Sequence, residues 1–314
     1  MEIIRNIEKT RMVPKCAATI GVFDGVHAGH QQVIKRLISD AEFHHLASMV
    51  ITFDRQPRQL FDPQFRPQLL TTQEEKEQEL ERLGVDFLVV LPFTEEIASL
   101  SAHDFMAQIL KKRLNVKLLQ IGYDNRFGHD RTEGFEDYVH YGQELGIRVF
   151  HGIKLSFKDY DISVCSSNIR SLLSEDGDVE TAAVLLGRPY QLYGKVTPGE
   201  QIGHQLGFPT ANLQPDDPCK LIPASGVYAV FAAIGERQEP LPAMMNIGTR
   251  PTFDGRNRTL EVNIFDFDGD LYGQTVLITF VARLREERRF DSPEALVSQL
   301  KKDRQACLDL FNQS

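Results

Sequence analysis

The run Gly21-Val-Phe-Asp-Gly-Val-His-Ala-Gly-His30 holds two imidazoles three residues apart, interleaved with three glycines. An apolar stretch over residues 17–22 leads into it and an amphipathic segment over 31–46 follows, which predicts strand, tight turn and helix. A helix start presents free N–H groups and a partial positive charge, so it is a natural seat for an anion. Gly21, Gly25 and Gly29 let the backbone approach that anion closely. His27 and His30 beside it suit a polyphosphate whose α-phosphorus is attacked.

Two later segments carry matching chemistry. Residues 121–134 follow an apolar run and are rich in glycine and charge, as a binding loop is. Ile162-Ser-Val-Cys-Ser-Ser-Asn-Ile-Arg170 precedes a helical pattern, where Ser166 or Ser167 can serve as N-cap. Arg170 then falls in the first turn, within reach of an anion bound there.

The second half has no Gly-x-x-x-x-Gly-Lys-[Ser/Thr], so a kinase there belongs to another type. Thr210 and Asn212, in Gly203-His-Gln-Leu-Gly-Phe-Pro-Thr-Ala-Asn212, point the same way on an extended chain. A hydroxyl and an amide oxygen side by side suit a hard cation such as Mg²⁺ with its nucleotide. In Leu260-Glu-Val-Asn-Ile264, alternation sets Glu261 and Asn263 on the face opposite the three apolar residues. A carboxylate so placed can act as general base toward a hydroxyl. Asp266, Asp268 and Asp270 fail the calcium-loop pattern, with Leu271 where glycine is required, and read as a turn.

These groups need a scaffold. Strands are expected at 17–22, 48–53, 86–91, 117–122 and 147–151, alternating with helices at 31–46, 73–83, 101–114 and 134–145. Such alternation implies a parallel, doubly wound α/β sheet, which binds ligands beyond the carboxyl ends of its strands. Near Gly187 the pattern changes to short strands at 190–196, 226–232, 243–247, 259–265 and 274–284, then a helix at 293–311. That predicts a small antiparallel barrel closed by a terminal helix, with Asp268-Gly269 as a hairpin turn between the last two strands. The domains are expected at 1–186 and 187–314.

Composition sets the class. Of 314 residues, 42% are hydrophobic and 25% charged, the balance of a soluble globular chain. A net charge of −9 argues against general nucleic-acid binding. No apolar run is long enough to span a bilayer, and the first residues lack a secretory apolar core, so a cytoplasmic location is expected. The four cysteines, Cys16, Cys165, Cys219 and Cys307, are scattered and read as reduced thiols that bind no metal.

Taken together the motifs resemble the bacterial bifunctional riboflavin kinase/FAD synthetase (FMN adenylyltransferase) family, over nearly the whole chain. Gly21 to His30 matches its first signature. Gly122-Tyr-Asp-Asn-Arg-Phe-Gly128 matches a second, with Asn125 replacing an aromatic, and Cys165 to Arg170 a third, with Cys165 and Ser167 departing. Thr52-Phe-Asp-Arg-Gln-Pro57 is similar to a fourth, with Gln56 where histidine is usual. The kinase half is carried by Gly194-Lys-Val196, Leu206 to Leu213, Gly226-Val-Tyr-Ala229, Asn246 to Phe253, Glu261 and Leu284 to Phe290.

The resemblance implies that His27 and His30 stabilise charge on the α-phosphate as pyrophosphate leaves. It implies nucleotide contacts from Gly21, Phe23, Asp24, Gly29, Ser166, Ser167 and Arg170 in one site, and from Lys195, Gly207, Thr210 and Asn212 in the other. Thr210 and Asn212 would hold Mg²⁺–ATP, and Glu261 would take the proton of the ribityl hydroxyl. Asn125, Arg285 and Phe290 would meet the flavin. The implied partners are riboflavin, FMN, FAD and ATP. The rival readings are a riboflavin kinase with weak or lost adenylyl transfer, a flavin-binding protein without turnover, and a nucleotidylyltransferase for another phosphate ester.

Overall fold

The computed structural model describes residues 1–8, 13–122, 126–129, 132–152, 163–198, 208–235, 239–252 and 255–312. The chain divides into two compact units, Met1–Ser166 and Ser167–Ser314.

The first unit is built on a six-stranded sheet of β1 (Glu2–Ile4), β2 (Cys16–Ile20), β3 (Ala47–Phe53), β4 (Phe87–Leu91), β5 (Val116–Ile121) and β6 (Arg148–His151). Its order is β1-β4-β3-β2-β5-β6, with every pairing parallel. Alternate residues feed two cores. Ala18, Ile20, Met49 and Ile51 enter one, while Ala17, Val50, Leu88 and Leu118 enter the other. Burial on both faces explains why these strands read as continuous apolar runs. The chain passes from β2 to β3 on one side and sets β5 on the other, so the signature turn leaves the carboxyl end of β2 at the switch in strand order. The sequence does not suggest β1, a three-residue edge strand too short for any period.

Helix α1 (Ala28–Phe43) packs Ile34, Leu37 and Ala41 onto the sheet. It starts three residues earlier than expected because His27 is its cap: Nδ1 accepts the backbone N–H of His30 at 3.3 Å. Imidazole is not among the usual N-cap groups. Short helices α2 (Pro57–Phe61), α4 (Glu95–Ser99) and α5 (Ala102–Asp104) are not suggested as separate elements by the sequence. Helix α3 (Gln73–Arg82) is capped by Thr72, whose side chain accepts from Glu75 N while Glu75 accepts from Thr72 N. The expected helix at 101–114 is capped by Ser101 but becomes π-helical over Phe105–Arg113, still burying Phe105, Met106, Ile109 and Leu110. Helix α6 (Phe135–Leu145) ends on Gly146.

In the second unit, α7 (Ser166–Ser171) runs in from the boundary and α8 (Val179–Leu186) follows. Then come β7 (Gln191–Thr197), β8 (Ala211–Pro215), β9 (Gly226–Ile234), β10 (Leu241–Thr252), β11 (Gly255–Ile264) and β12 (Thr275–Arg285). They close an antiparallel barrel in the order β10-β11-β8-β7-β12-β9. Leu260, Val262 and Ile264 share the buried face with Ile247, Met245 and Ala243, their partners in register. The terminal helix α9 (Pro293–Phe311) covers the opposite face, with Cys307 packed on Ala229, Met244 and Phe265.

The expected hairpin at Asp268-Gly269 is not formed. Strand β11 pairs with β10 and β8, and β12 with β7 and β9. The left-handed residues of that connection are Asp266 (φ 51°) and Gly273 (φ 74°), which turn the chain at its two ends. Among the described residues no helix is long and apolar enough to cross a membrane.

Candidate active sites

The first site forms where β2 hands over to α1. Phe23 (φ 51°), Gly25 (φ 83°) and Val26 (φ 39°) all take left-handed backbone conformations. For a bulky and a β-branched residue this costs about 1–3 kcal/mol each and persists only where the surroundings enforce it. The enforcing contacts come from residues 70–71. Asp24 is buried, and its Oδ1 accepts Leu70 N at 3.0 Å and Thr71 N at 3.2 Å. Thr71 Oγ1 in turn accepts Gly25 N at 3.0 Å.

The strained turn delivers the two imidazoles as a stack, ring centroids 3.6 Å apart and 18° from parallel. His30 also meets Phe23 edge-on at 5.2 Å. Because His27 Nδ1 accepts a backbone N–H, its ring proton sits on Nε2, where it can be donated. His30 Nδ1 is buried with no hydrogen-bond partner. Burial first, then repulsion from His27 and Lys76, hold His30 well below the ordinary imidazole range. The ring is therefore neutral at neutral pH, ready to donate to an arriving anion or to take a proton with it.

The neighbouring residues fit close around the stack. A Cβ on Gly29 would lie 3.2 Å from the His27 ring, and one on Gly21 would lie 3.2 Å from the Phe23 ring. Ser166 is the first residue of α7 rather than its cap; its hydroxyl donates to the Asp24 carbonyl at 2.9 Å, tying the 163–166 segment to the turn. Ser167 and Arg170 follow on α7. Asn125 lies outside the described residues; Phe127, which follows, is held by Tyr138, whose hydroxyl donates to Phe127 O at 3.0 Å and accepts from Phe127 N at 3.1 Å.

The second site is a row across the barrel. In register, Asn212 of β8 lies opposite Glu261 of β11, and Glu261 lies opposite Asn246 of β10. Thr197 of β7 lies opposite Asn212 on its other side. Opposed residues share a face with Cβ atoms about 4.5–5.5 Å apart, so a carboxylate stands between two amides, with a hydroxyl beyond. Thr210 precedes β8 and lines a cleft of about 420 Å³ with Ala211, Val262, Phe267 and Tyr272. Asn263 fixes the approach, donating to Pro209 O at 2.6 Å. Lys195 is exposed on β7, two residues from Thr197 on the same face. Gly207 lies outside the described residues.

Arg285, at the end of β12, is held by the buried Asp303 of α9. Nη2 lies 2.8 Å from Oδ2 and Nε 3.1 Å from both oxygens. Its guanidinium stands 5.7 Å from the Phe290 ring centroid, and that of Arg288 stands 5.0 Å from it.

Three residues beside these sites are given no role by the sequence: Lys76 lies in no motif, while Asn246 and Glu287 lie within the quoted kinase segments. Lys76 is buried beside the first turn; the available signal was its i, i+4 relation to buried Leu80 on an otherwise charged helix. Asn246 heads a quoted segment, but its place opposite Glu261 comes only from strand register. Glu287 lies against the barrel over Gly248, where a Cβ would come within 2.7 Å of Glu287 Oε1 and 3.0 Å of Thr259 Oγ1.

Comparison with known proteins agrees along the whole chain. The FAD synthetase family model matches residues 9–167 and the riboflavin kinase model residues 186–311. A bifunctional riboflavin kinase/FMN adenylyltransferase of Escherichia coli K12 is 35% identical over 99% of this chain and 98% of its own length. One from Bacillus subtilis 168 is 36% identical over 95% and 93%. A crystal structure from Streptococcus pneumoniae, described as a macrolide-efflux protein, matches with TM-score 0.87 and 34% identity over 97% of both chains.

Proposed function

The chain belongs to the bifunctional riboflavin kinase/FMN adenylyltransferase family, and from that premise we propose which residues carry each of its two reactions. Riboflavin is phosphorylated to FMN in the barrel, and FMN is adenylylated to FAD at the histidine turn, both at the expense of ATP. The division assigns residues 1–186 to adenylyl transfer and 187–314 to the kinase.

In the barrel, Glu261 accepts the proton of the ribityl hydroxyl as that oxygen attacks the γ-phosphorus of ATP. Thr210 and Asn212 hold the nucleotide with Mg²⁺, assisted by Lys195 and Gly207. The donor set there is hydroxyl, amide and carboxylate oxygen, which suits a hard cation bound chiefly through substrate phosphates. Such a cation supplies charge neutralisation on the triphosphate. Arg285 and Phe290 border the flavin.

At the histidine turn the FMN phosphate is itself the nucleophile, so no covalent protein intermediate is needed. The site must align it with the α-phosphorus and neutralise the charge passing to pyrophosphate. His27 and His30 donate to that charge, with the α1 N-terminus, Ser166, Ser167 and Arg170 holding the polyphosphate. Gly21, Phe23, Asp24 and Gly29 shape the turn, and Asn125 belongs to the flavin side. The four free thiols accord with a reducing, cytoplasmic setting.

The observation that most supports this assignment is the register that sets Glu261 beside Asn212, two residues 49 positions apart that the kinase reaction requires together. The test uses both half-reactions. Glu261→Gln lowers riboflavin phosphorylation by about 10²–10⁴-fold and leaves FMN adenylylation intact. His30→Ala does the reverse, with a loss of about 10²–10³-fold in adenylyl transfer. Equal loss of both activities in either variant would refute the division.

A further inference from the structure

The buried ammonium of Lys76 is not accounted for by these roles, and any catalytic part for it rests on the reading of the histidine turn as the adenylyl-transfer site. Residues 70–72 join two tasks. Leu70 and Thr71 clamp Asp24 and Gly25, and Thr72 caps α3. One turn into α3, Lys76 donates its backbone N–H to Thr72 O at 3.0 Å, so its position is set by the clamp. Its side chain is 6% exposed, and Nζ lies 3.5 Å from Thr52 Oγ1 on the central strand β3. Thr52 Oγ1 donates to Val22 O at 3.1 Å, at the entrance of the strained turn. A buried cation is thus tied to the turn from both ends, through Asp24 and through Val22.

We propose that Lys76 is a positioning residue for adenylyl transfer: its buried ammonium locks the Val22–Val26 turn and sets the charge environment of the His27–His30 stack. The charged groups facing it are Asp24 from the turn and Glu77 from its own helix, both of which favour the ammonium against its burial. The groups facing His30 are His27 and Lys76, and both disfavour imidazolium. Lys76 therefore adds to the burial and the His27 repulsion that keep the second imidazole neutral, and an incoming polyphosphate offsets its share. The protonation of His30 is thereby coupled to substrate arrival.

The experiment compares Lys76→Met, Lys76→Gln and Lys76→Arg in the full-length chain, with the amide chemical-shift dispersion of the first unit as the check on its folding and riboflavin kinase turnover as the check on the second unit. His30 is followed by NMR titration of its Cε1–H, assigned through His30→Gln. The two neutral variants are expected to lose about 10–100-fold in kcat for FMN adenylylation. In them the His30 titration moves upward by about 0.5–1 pH unit. Lys76→Arg stays within about threefold of wild type and leaves the titration in place. An unmoved titration with adenylylation within threefold overturns the proposal, as does loss of the first unit's fold in both neutral variants. If His30→Ala itself leaves adenylylation unchanged, the reading of the site fails first; if His30→Ala is inactive and Lys76→Met is silent, only this inference fails.

Discussion

Replacing Asp303 by Asn tests whether the buried ion pair behind the barrel supports the kinase site. The carboxylate is 3% exposed and accepts from Arg285 Nε and Nη2 and from Gln299 Nε2, the last at 2.6 Å. An amide of the same shape has one oxygen, so it serves either Arg285 or Gln299 and turns an NH₂ group toward the other. The guanidinium, only 18% exposed, then loses its counterion. Removing one partner of a fully buried pair costs about 3–5 kcal/mol; partial solvent access to Arg285 puts this case near the low end, about 3 kcal/mol. For a unit of this size that corresponds to a fall of about 8–12 °C in melting temperature. The assay is scanning calorimetry on Asp303→Asn, Arg285→Gln and the double variant. The coupling energy is expected at about 1.5–3 kcal/mol, since the two side chains touch. With Arg285 unmoored, KM for riboflavin rises while KM for ATP holds. A coupling below about 0.5 kcal/mol, or an Asp303→Asn melt within about 2 °C of wild type, refutes the argument.

The other buried groups make two further outcomes testable. His30 titrates below its unfolded value near 6.5, so the unfolded chain binds that proton more readily. Stability of the first unit is therefore full above pH 6.5 and declines as pH falls below it, by up to about 1.4 kcal/mol per pH unit from this group. The pH dependence should be shallower in His30→Gln, and an equal loss of unfolding free energy between pH 7.5 and 5.5 in the two proteins, read by chemical unfolding, would contradict the burial of that ring. Burial also raises the Cys16 and Cys307 thiols to about 12. Iodoacetamide at pH 8 should then modify the partly exposed Cys165 and Cys219 and spare the other two in the folded protein, read by peptide mass spectrometry. ATP should protect Cys165, which precedes the Ser166 bond to the histidine turn, and not Cys219. Equal protection of both thiols would remove the 165–170 segment from the nucleotide site.

What could be read locally was the part of the fold in which local pattern and tertiary role coincide. Strands β2 to β5 are buried on both faces, so their composition alone marks them, and α9 carries its cap and proline at its start. The errors have a common cause in long-range pairing. Asp268-Gly269 has the chemistry of a two-residue hairpin, yet its flanking strands find better partners in β8, β10, β7 and β9. Strand β8 is short and bounded by prolines at 209 and 215, and only its pairing with β7 and β11 makes it a strand.

The same cause governs the sites. The residue types at 210, 212 and 261 suit the proposed kinase chemistry, but no local rule sets Asn212 against Glu261 rather than one residue away. A slip of one would turn Glu261 into the barrel and Val262 out, exchanging a carboxylate for a valine on the reacting face. The apolar set Leu260, Val262 and Ile264 forbids that slip, because it would leave the core unfilled. The packing of the barrel interior therefore fixes the geometry of the chemistry on its outside. At the histidine turn the dependence is the same: the Asp24 clamp and buried Lys76, on an element some fifty residues downstream, impose a backbone that Phe23 and Val26 would not adopt alone. In both units the groups proposed to react are legible from residue type, and their relative placement is a property of the core that holds them.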